Sequence, residues 1–288
     1  MKKLNAYISL TKPRITVLFA FTAIVGLVSE GSLSASSLRF WMIIMGVFCV
    51  GGAANAFNQY FEREIDARME RTATKRSLPL GILTPFEALL FSVVLSVLSI
   101  ILLYSFGNVW TALIGVGLIL FYSFFYTLYL KPTTPHNIVI GGVAGALGPV
   151  LAWVGVTAGL SLEPILMFLI IFFWSPPHFW ALALYYKDDY AKVGFPMLPV
   201  VKGESVTRKQ IFIYSLTLLP LSLSLYFLGT FGWLYGCLAL VSSLGFIYGA
   251  WAIYKNASLA YCKKYFAYSI FYIAILFIGM LVDKLLIS

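Results

Sequence analysis

Charge is scarce in this chain, and acidic charge is the scarcest: 11 Asp and Glu stand among 288 residues, and charged residues of both signs make up 11%. A soluble globular domain carries about a quarter charged residues, so that class is excluded. Histidine is rarer still, with two copies. The three cysteines, Cys49, Cys237 and Cys262, form no metal or redox spacing. Cys49 and Cys237 fall in apolar runs, where a thiol is expected to be buried as a small hydrophobe. No glycine-rich phosphate loop is present, which disfavours a nucleotide as phosphate donor. No small-residue cleavage site follows the first apolar run, so that run is expected to stay as a helix rather than leave as a signal peptide. No polar stretch is long enough for a separate soluble domain.

What the chain has is apolar sequence: 61% of it is hydrophobic. Runs of about 20 apolar residues, the length that crosses a bilayer, recur from end to end. Nine are expected, near 15–34, 40–61, 86–105, 109–130, 137–157, 164–186, 211–229, 232–254 and 265–285. The reading is an all-α, polytopic membrane protein in which residues 1–288 form one domain. The net charge of +9 could point to nucleic acid, but its placement argues otherwise. With the N-terminus inside, every Lys and Arg except Arg39 and Lys284 falls on the inner side. Such an excess sets orientation: N-terminus in, C-terminus out, with no nucleic-acid partner.

Two inner loops, 62–85 and 187–210, hold most of the ionisable groups. The first opens with Asn58, Glu62 and Asp66, which recur every four residues. On a helix each such step turns ~40°, so the three point to one side over ~12 Å. Two carboxylates and an amide are too few oxygens for calcium, but they suit magnesium, which keeps waters and shares phosphates. Downstream, Arg68, Arg71, Lys75 and Arg76 could neutralise those phosphates. The competing reading is a solvated face whose charges only set topology.

The second loop brings Lys187, Asp188 and Asp189, again a lysine beside carboxylates. Because the loops follow the second and sixth spans, a duplicated four-helix unit plus a ninth helix would place both clusters around a central cavity. Up to four carboxylates could then hold two magnesium ions on one diphosphate. Glycines at 141, 142, 145 and 148 mark one span, either for close helix packing or to leave room for a bulky ligand. The aromatic share of 17% suits a large apolar ligand, although packing and interfacial belts account for most such residues.

The segment Asn58-xxx-Glu62-xxx-Asp66, with Met69-Glu-Arg71-Thr, resembles the first aspartate-rich motif of the intramembrane UbiA-type prenyltransferases. Within that superfamily the finer match is to the protohaem IX farnesyltransferases, or haem O synthases. It rests on Leu10-Thr-Lys12-Pro-Arg14-Ile, on Lys131-Pro-Thr-Thr-Pro-His-Asn137, on Pro176-Pro-His178-Phe-Trp and on Asp189-Tyr-Ala-Lys-Val-Gly-Phe-Pro196-Met-Leu-Pro. These run in order from residue 10 to about 210. Three departures stand out. Glu62 replaces the commoner aspartate, Tyr185 stands where the second motif often begins with aspartate, and Ser77 replaces a proline.

The resemblance implies magnesium as cofactor, with Asn58, Glu62, Asp66, Asp188 and Asp189 as its ligands and the four carboxylates as catalytic groups. It implies farnesyl diphosphate and haem b as substrates, a bilayer around the protein, and a downstream haem-modifying enzyme to take the product. Arg71, Arg76, Lys187, Lys131, Asn137, Lys12 and Arg14 are the expected substrate contacts. His178 is expected either to touch haem iron or to close backbone groups freed by the prolines. A prokaryotic cytoplasmic membrane is implied, with the active site on the cytoplasmic side. Two other functions compete. A quinone-precursor prenyltransferase is disfavoured by the Pro-Pro-His178 and Pro-Met-Leu-Pro segments. A transporter is disfavoured because its coupling groups would lie near the bilayer midplane, not at helix ends.

Overall fold

Helix starts are written locally. Ser37 accepts from the backbone N–H of Phe40, Thr84 and Glu87 form a reciprocal capping box, and Asn108 accepts from the N–H groups of Trp110 and Thr111. Proline at the first helical turn reinforces the start after Thr84, at Pro85, and fixes two more, at Pro13 and Pro149. The computed structural model describes residues 2–255 and 258–287, apart from the side chains of Arg71 and Ile287.

Its helices are α1 (Lys2–Leu10), α2 (Pro13–Glu30), α3 (Leu38–Phe61), α4 (Arg63–Asp66), α5 (Glu70–Ala73), α6 (Pro85–Leu102), α7 (Val109–Leu120) and α8 (Lys131–Thr133). They continue as α9 (Asn137–Ala146), α10 (Gly148–Thr157), α11 (Leu162–Tyr185), α12 (Lys187–Lys192), α13 (Leu198–Val201), α14 (Gly203–Phe227), α15 (Trp233–Tyr254) and α16 (Leu259–Ile287). Two stretches, Leu103–Gly107 and Phe121–Leu130, are wound as π-helix. Among the described residues nine segments are long and apolar enough to cross a membrane, as expected.

Two span starts differ most from expectation. The seventh span begins at Gly203 rather than near 211, and the ninth at Leu259 rather than near 265. Charged pairs, Arg208-Lys209 and Lys263-Lys264, depress local hydropathy there, but a helix needs only backbone hydrogen bonds. Arg208 instead caps α15 by donating to the carbonyl of Ile253 at 3.0 Å. The cysteine expectation holds for Cys49 and fails for Cys237, which is exposed on α15, while Cys262 is buried. A helix apolar on all sides gives no signal of which face meets lipid.

The chain divides into two units. The first comprises Met1–Thr133, Leu147–Leu160 and Lys192–Gly194. Its centre is α3, the most buried of the spans, which packs against α6, α2 and α7. Small residues permit that approach: a Cβ on Gly46 would come within 2.7 Å of Leu103. In the same way α2 meets α10 where a Cβ on Gly26 would lie 2.9 Å from the carbonyl oxygen of Pro149. Arg39 ties three segments by donating to the carbonyls of Phe106 at 2.7 Å and Gly155 at 3.4 Å.

The second unit comprises Thr134–Ala146, Ser161–Ala191 and Phe195–Ser288. Here α11 packs on α14, α16 and α9, and α15 joins α14 to α16. Buried hydroxyls link the helices: Tyr272 Oη lies 3.0 Å from Ser222 Oγ and 3.1 Å from Ser243 Oγ. Asp283 accepts from the N–H groups of Gly232 and Tyr235, capping α15 from α16. Of the glycines singled out along this span, Gly142 packs, with Ser175 3.3 Å from its would-be Cβ, and Gly148 packs in the first unit, 2.8 Å from the Phe19 carbonyl oxygen, whereas Gly145 faces open space.

Candidate active site

The row read from spacing is real, although the helix carrying it is interrupted. α3 ends at Phe61 and α4 begins at Arg63, with Glu62 at the junction. Helical hydrogen bonds nevertheless run through the break. The Glu62 N–H reaches the Asn58 carbonyl at 3.0 Å, and the Asp66 N–H reaches the Glu62 carbonyl at 2.8 Å. The pitch is kept, and all three side chains are buried at 2–3% exposure. Thr72 secures the far end by donating to the Asp66 carbonyl at 2.8 Å.

Three cations from distant parts of the first unit converge on this row. Lys131 donates to Glu62 Oε1. Arg76 donates to Asp66 Oδ2, and the same Nη1 lies 3.6 Å from Glu62 Oε2. Half-buried Lys12 donates to Asn58 Oδ1 at 2.8 Å. Lys12 holds left-handed backbone, φ 49° and ψ 64°, between α1 and Pro13. Strain of that kind in a non-glycine residue collects at functional sites.

The electrostatics follow from burial set against these charges. Burial pushes the Glu62 carboxyl up, but Lys131, Lys12 and Arg76 outweigh it and hold the group below its ordinary range. For Asp66 burial wins, with Glu62 adding to it and Arg76 opposing, so its carboxyl sits above the usual value. Burial, reinforced by Arg76, lowers the Lys12 ammonium to about 7. A divalent cation among these oxygens would favour both ionised carboxylates.

Among the described residues no group of three or more His, Cys, Asp or Glu could hold a metal by itself. What the row does offer is a small set of hard oxygen donors, the kind magnesium accepts. Two carboxylates meeting at one guanidinium nitrogen, plus an amide oxygen, leave positions that magnesium fills with water and substrate phosphates.

The remaining predicted residues are placed as follows. Arg68 and Lys75 are exposed, Arg14 is exposed on the first turn of α2, and the Arg71 side chain lies outside the described residues. In the second unit, Asp188 is exposed and Asp189 buried, as their ~100° separation on a helix requires. Lys187 pairs with Glu204 at 3.2 Å. Asn137 opens α9 fully buried, donating to the Thr134 carbonyl at 2.6 Å while its Oδ1 has no hydrogen-bond partner among the described residues. His178 is packed between the rings of Trp174 and Phe266, with centroids 4.4 and 4.2 Å away, and its Nδ1 bonds Ser269. That leaves Nε2 as the nitrogen for any iron contact. Lys263 lies over the Tyr185 ring at 4.9 Å, so the position that breaks the second motif holds a cation by its π face.

The sequence reading missed Thr127, which accepts from Asn58 Nδ2 at 3.0 Å. The available signal was a threonine in an aromatic run, four residues before Lys131.

The chain is similar to known proteins along nearly all of its length. The profile of the UbiA prenyltransferase family matches residues 19–277. The chain is 44% identical over 283 residues to the protoheme IX farnesyltransferase of Gloeobacter violaceus, covering 98% of this chain and 92% of that one. It is 45% identical over 284 residues to the protoheme IX farnesyltransferase of Azorhizobium caulinodans, covering 97% and 92%. Among solved structures, digeranylgeranylglyceryl phosphate synthase superposes with a TM-score of 0.80 at 22% identity, covering 99% of both chains. A UbiA homolog from Archaeoglobus fulgidus bound to DMAPP and Mg2+ superposes with a TM-score of 0.66 at 17% identity, covering 96% of this chain and 99% of that one.

Proposed function

Because the chain belongs to the UbiA prenyltransferase family, we propose that it transfers the farnesyl group of farnesyl diphosphate to a vinyl group of haem b, giving haem O. The observation that carries this reading is the buried row Asn58, Glu62 and Asp66, met by Lys12, Lys131 and Arg76. Oxygen ligands beside surplus cations are what a metal diphosphate requires. The names of the two bacterial relatives supply the substrates.

Magnesium, when bound, supplies positive charge against the departing diphosphate. Asn58, Glu62 and Asp66 would hold it, as the Archaeoglobus fulgidus homolog's Mg2+ and DMAPP lead one to expect. Asp188 and Asp189 are proposed as metal ligands of the second unit. Arg76 and Lys131 would exchange carboxylate oxygens for phosphate oxygens, the planar fork of arginine engaging two at once. The C–O bond breaks with its electron pair leaving on diphosphate. The allylic carbon is then attacked by the vinyl π electrons, and water adds to the resulting cation and loses a proton. Apolar spans around the site keep other water from the allylic cation.

On the haem side, Lys12, Arg14 and Lys187 are candidates for propionates or diphosphate, Asn137 Oδ1 for a donor on the substrate, and His178 Nε2 for the iron. The site is assigned to the cytoplasmic face of a bacterial cytoplasmic membrane. The test incubates membranes carrying the protein with haem b, farnesyl diphosphate and magnesium, and identifies the pigment by mass. Haem O is expected, lost on chelation and restored by added magnesium. Unchanged haem b, with a prenylated quinone precursor in a parallel incubation, would overturn the proposal.

A further inference from the structure

An asparagine can serve as a metal ligand only through its oxygen, and its amide can rotate to present nitrogen instead. The side chain of Asn58 is held in a chain of hydrogen bonds whose two ends each have fixed polarity. At one end is the carbonyl of Tyr122, which can only accept. Thr127 Oγ1 donates its single proton to that carbonyl at 2.8 Å. The hydroxyl is then left with lone pairs alone, and it accepts from Asn58 Nδ2 at 3.0 Å. At the other end is Lys12, which in its ammonium form can only donate, and it reaches Asn58 Oδ1 at 2.8 Å. Reversing the amide would set N–H against an ammonium and oxygen against oxygen. Only one orientation satisfies every partner, and it turns Oδ1 toward Lys12, with Glu62 and Asp66 following one and two helical steps along the same row.

The winding of the helix makes this possible. Thr127 lies in the π-wound stretch Phe121–Leu130, whose hydrogen bonds reach back five residues. Its hydroxyl follows the same reach, from 127 to 122. Short π segments recur at functional sites, and this one delivers both Thr127 to Asn58 and Lys131 to Glu62. Thr127 is fully enclosed, at 5% exposure, so water does not compete for the bond.

We infer that Thr127 is a positioning residue that locks the amide of Asn58 with its oxygen toward the bound cation. This rests on the reading of Asn58, Glu62 and Asp66 as a metal diphosphate site. Groups that orient a metal ligand in this way typically contribute about 10- to 100-fold to metal affinity.

The test measures Mn2+ binding by electron paramagnetic resonance in the presence of inorganic diphosphate, on purified full-length protein in detergent. Thr127→Val, which keeps the shape and removes the hydroxyl, is expected to weaken Mn2+ binding by about tenfold. Thr127→Ser is expected to bind like the parent. The decisive arm repeats Thr127→Val on an Asn58→Asp background, where a symmetric carboxylate has no wrong orientation and the loss should vanish. Parental Mn2+ affinity in Thr127→Val would overturn the inference. So would an equal loss on the Asn58→Asp background, because that marks general damage to packing. An Asn58→Ala variant separates the premise from the inference. If it binds Mn2+ like the parent, the metal reading of the row fails and the role of Thr127 fails with it. If Asn58→Ala weakens binding and Thr127→Val does not, only the positioning role is lost.

Discussion

Glu62 and Asp66 carry the burden of the site, because each is a buried carboxylate whose oxygens already meet cations. Glu62→Gln and Asp66→Asn keep volume and hydrogen bonding while removing charge. Each is expected to lower haem O formation by at least ~100-fold, in the range lost when a preorganised electrostatic partner is removed, with the protein still inserted and folded. Near-parental product from both variants would remove them from the site. Arg76 makes a different prediction, because it serves both carboxylates from one side chain. Arg76→Met removes the cation paired with buried Asp66, while Glu62 keeps Lys131, and breaking such a pair costs about 3–5 kcal/mol, read as a drop in melting temperature in detergent. Arg76→Lys restores the charge without the fork. It should melt close to the parent but need more farnesyl diphosphate for half-maximal rate. At this scale the sequence revealed the row, because four-residue spacing is a local code. Its partners were not legible. Lys12 and Lys131 lie 46 and 69 residues from the groups they bind, and no spacing rule spans that distance. Thr127 was hidden further by π winding, which breaks the periodicity used to assign faces.

Elements were easier to read than their contacts. Hydropathy and caps place nine spans, and they err only where arginine and lysine enter a helix that other carbonyls and rings accommodate, as at Arg208. Which face of a span packs is another matter, since apolar side chains suit lipid and protein alike. Glycine is the partial exception, because a missing Cβ leaves a measurable gap or none. Gly26→Leu drives its new side chain into the backbone of Pro149, an atom that cannot rotate away. The α2–α10 contact should lose about 1–3 kcal/mol, seen as a shorter half-life at elevated temperature. Gly145→Ala is the matched control. It lies in the last turn of α9, in open space, so helix propensity favours it by less than the ~1 kcal/mol of a helix interior. A destabilised Gly145→Ala would show that this glycine packs after all. The same contrast divides the two readings of the glycine-rich span: Gly142 serves close approach to α11, and Gly145 leaves room.

For the whole molecule, the scarcity of charge makes the few basic residues legible as orientation marks. Of the two that fall outside under the proposed topology, Arg39 is committed to the carbonyls of Phe106 and Gly155, and Lys284 lies 5.8 Å from the Phe231 ring centroid. Both therefore have structural work that explains their exception to the positive-inside bias. The α3 helix, 24 residues long, separates Ser36 before it from Lys75 beyond it, both exposed. At about 1.5 Å per residue that length crosses the hydrocarbon core once. Single cysteines at these positions, in a Cys237→Ser background that removes the exposed native thiol, report the orientation directly. In intact cells a membrane-impermeant maleimide should label Ser36→Cys and leave Lys75→Cys unmodified until the membrane is opened. The reverse pattern would invert the topology and move the carboxylate row, which lies on the Lys75 side of α3, out of the compartment where the substrates are proposed to be met.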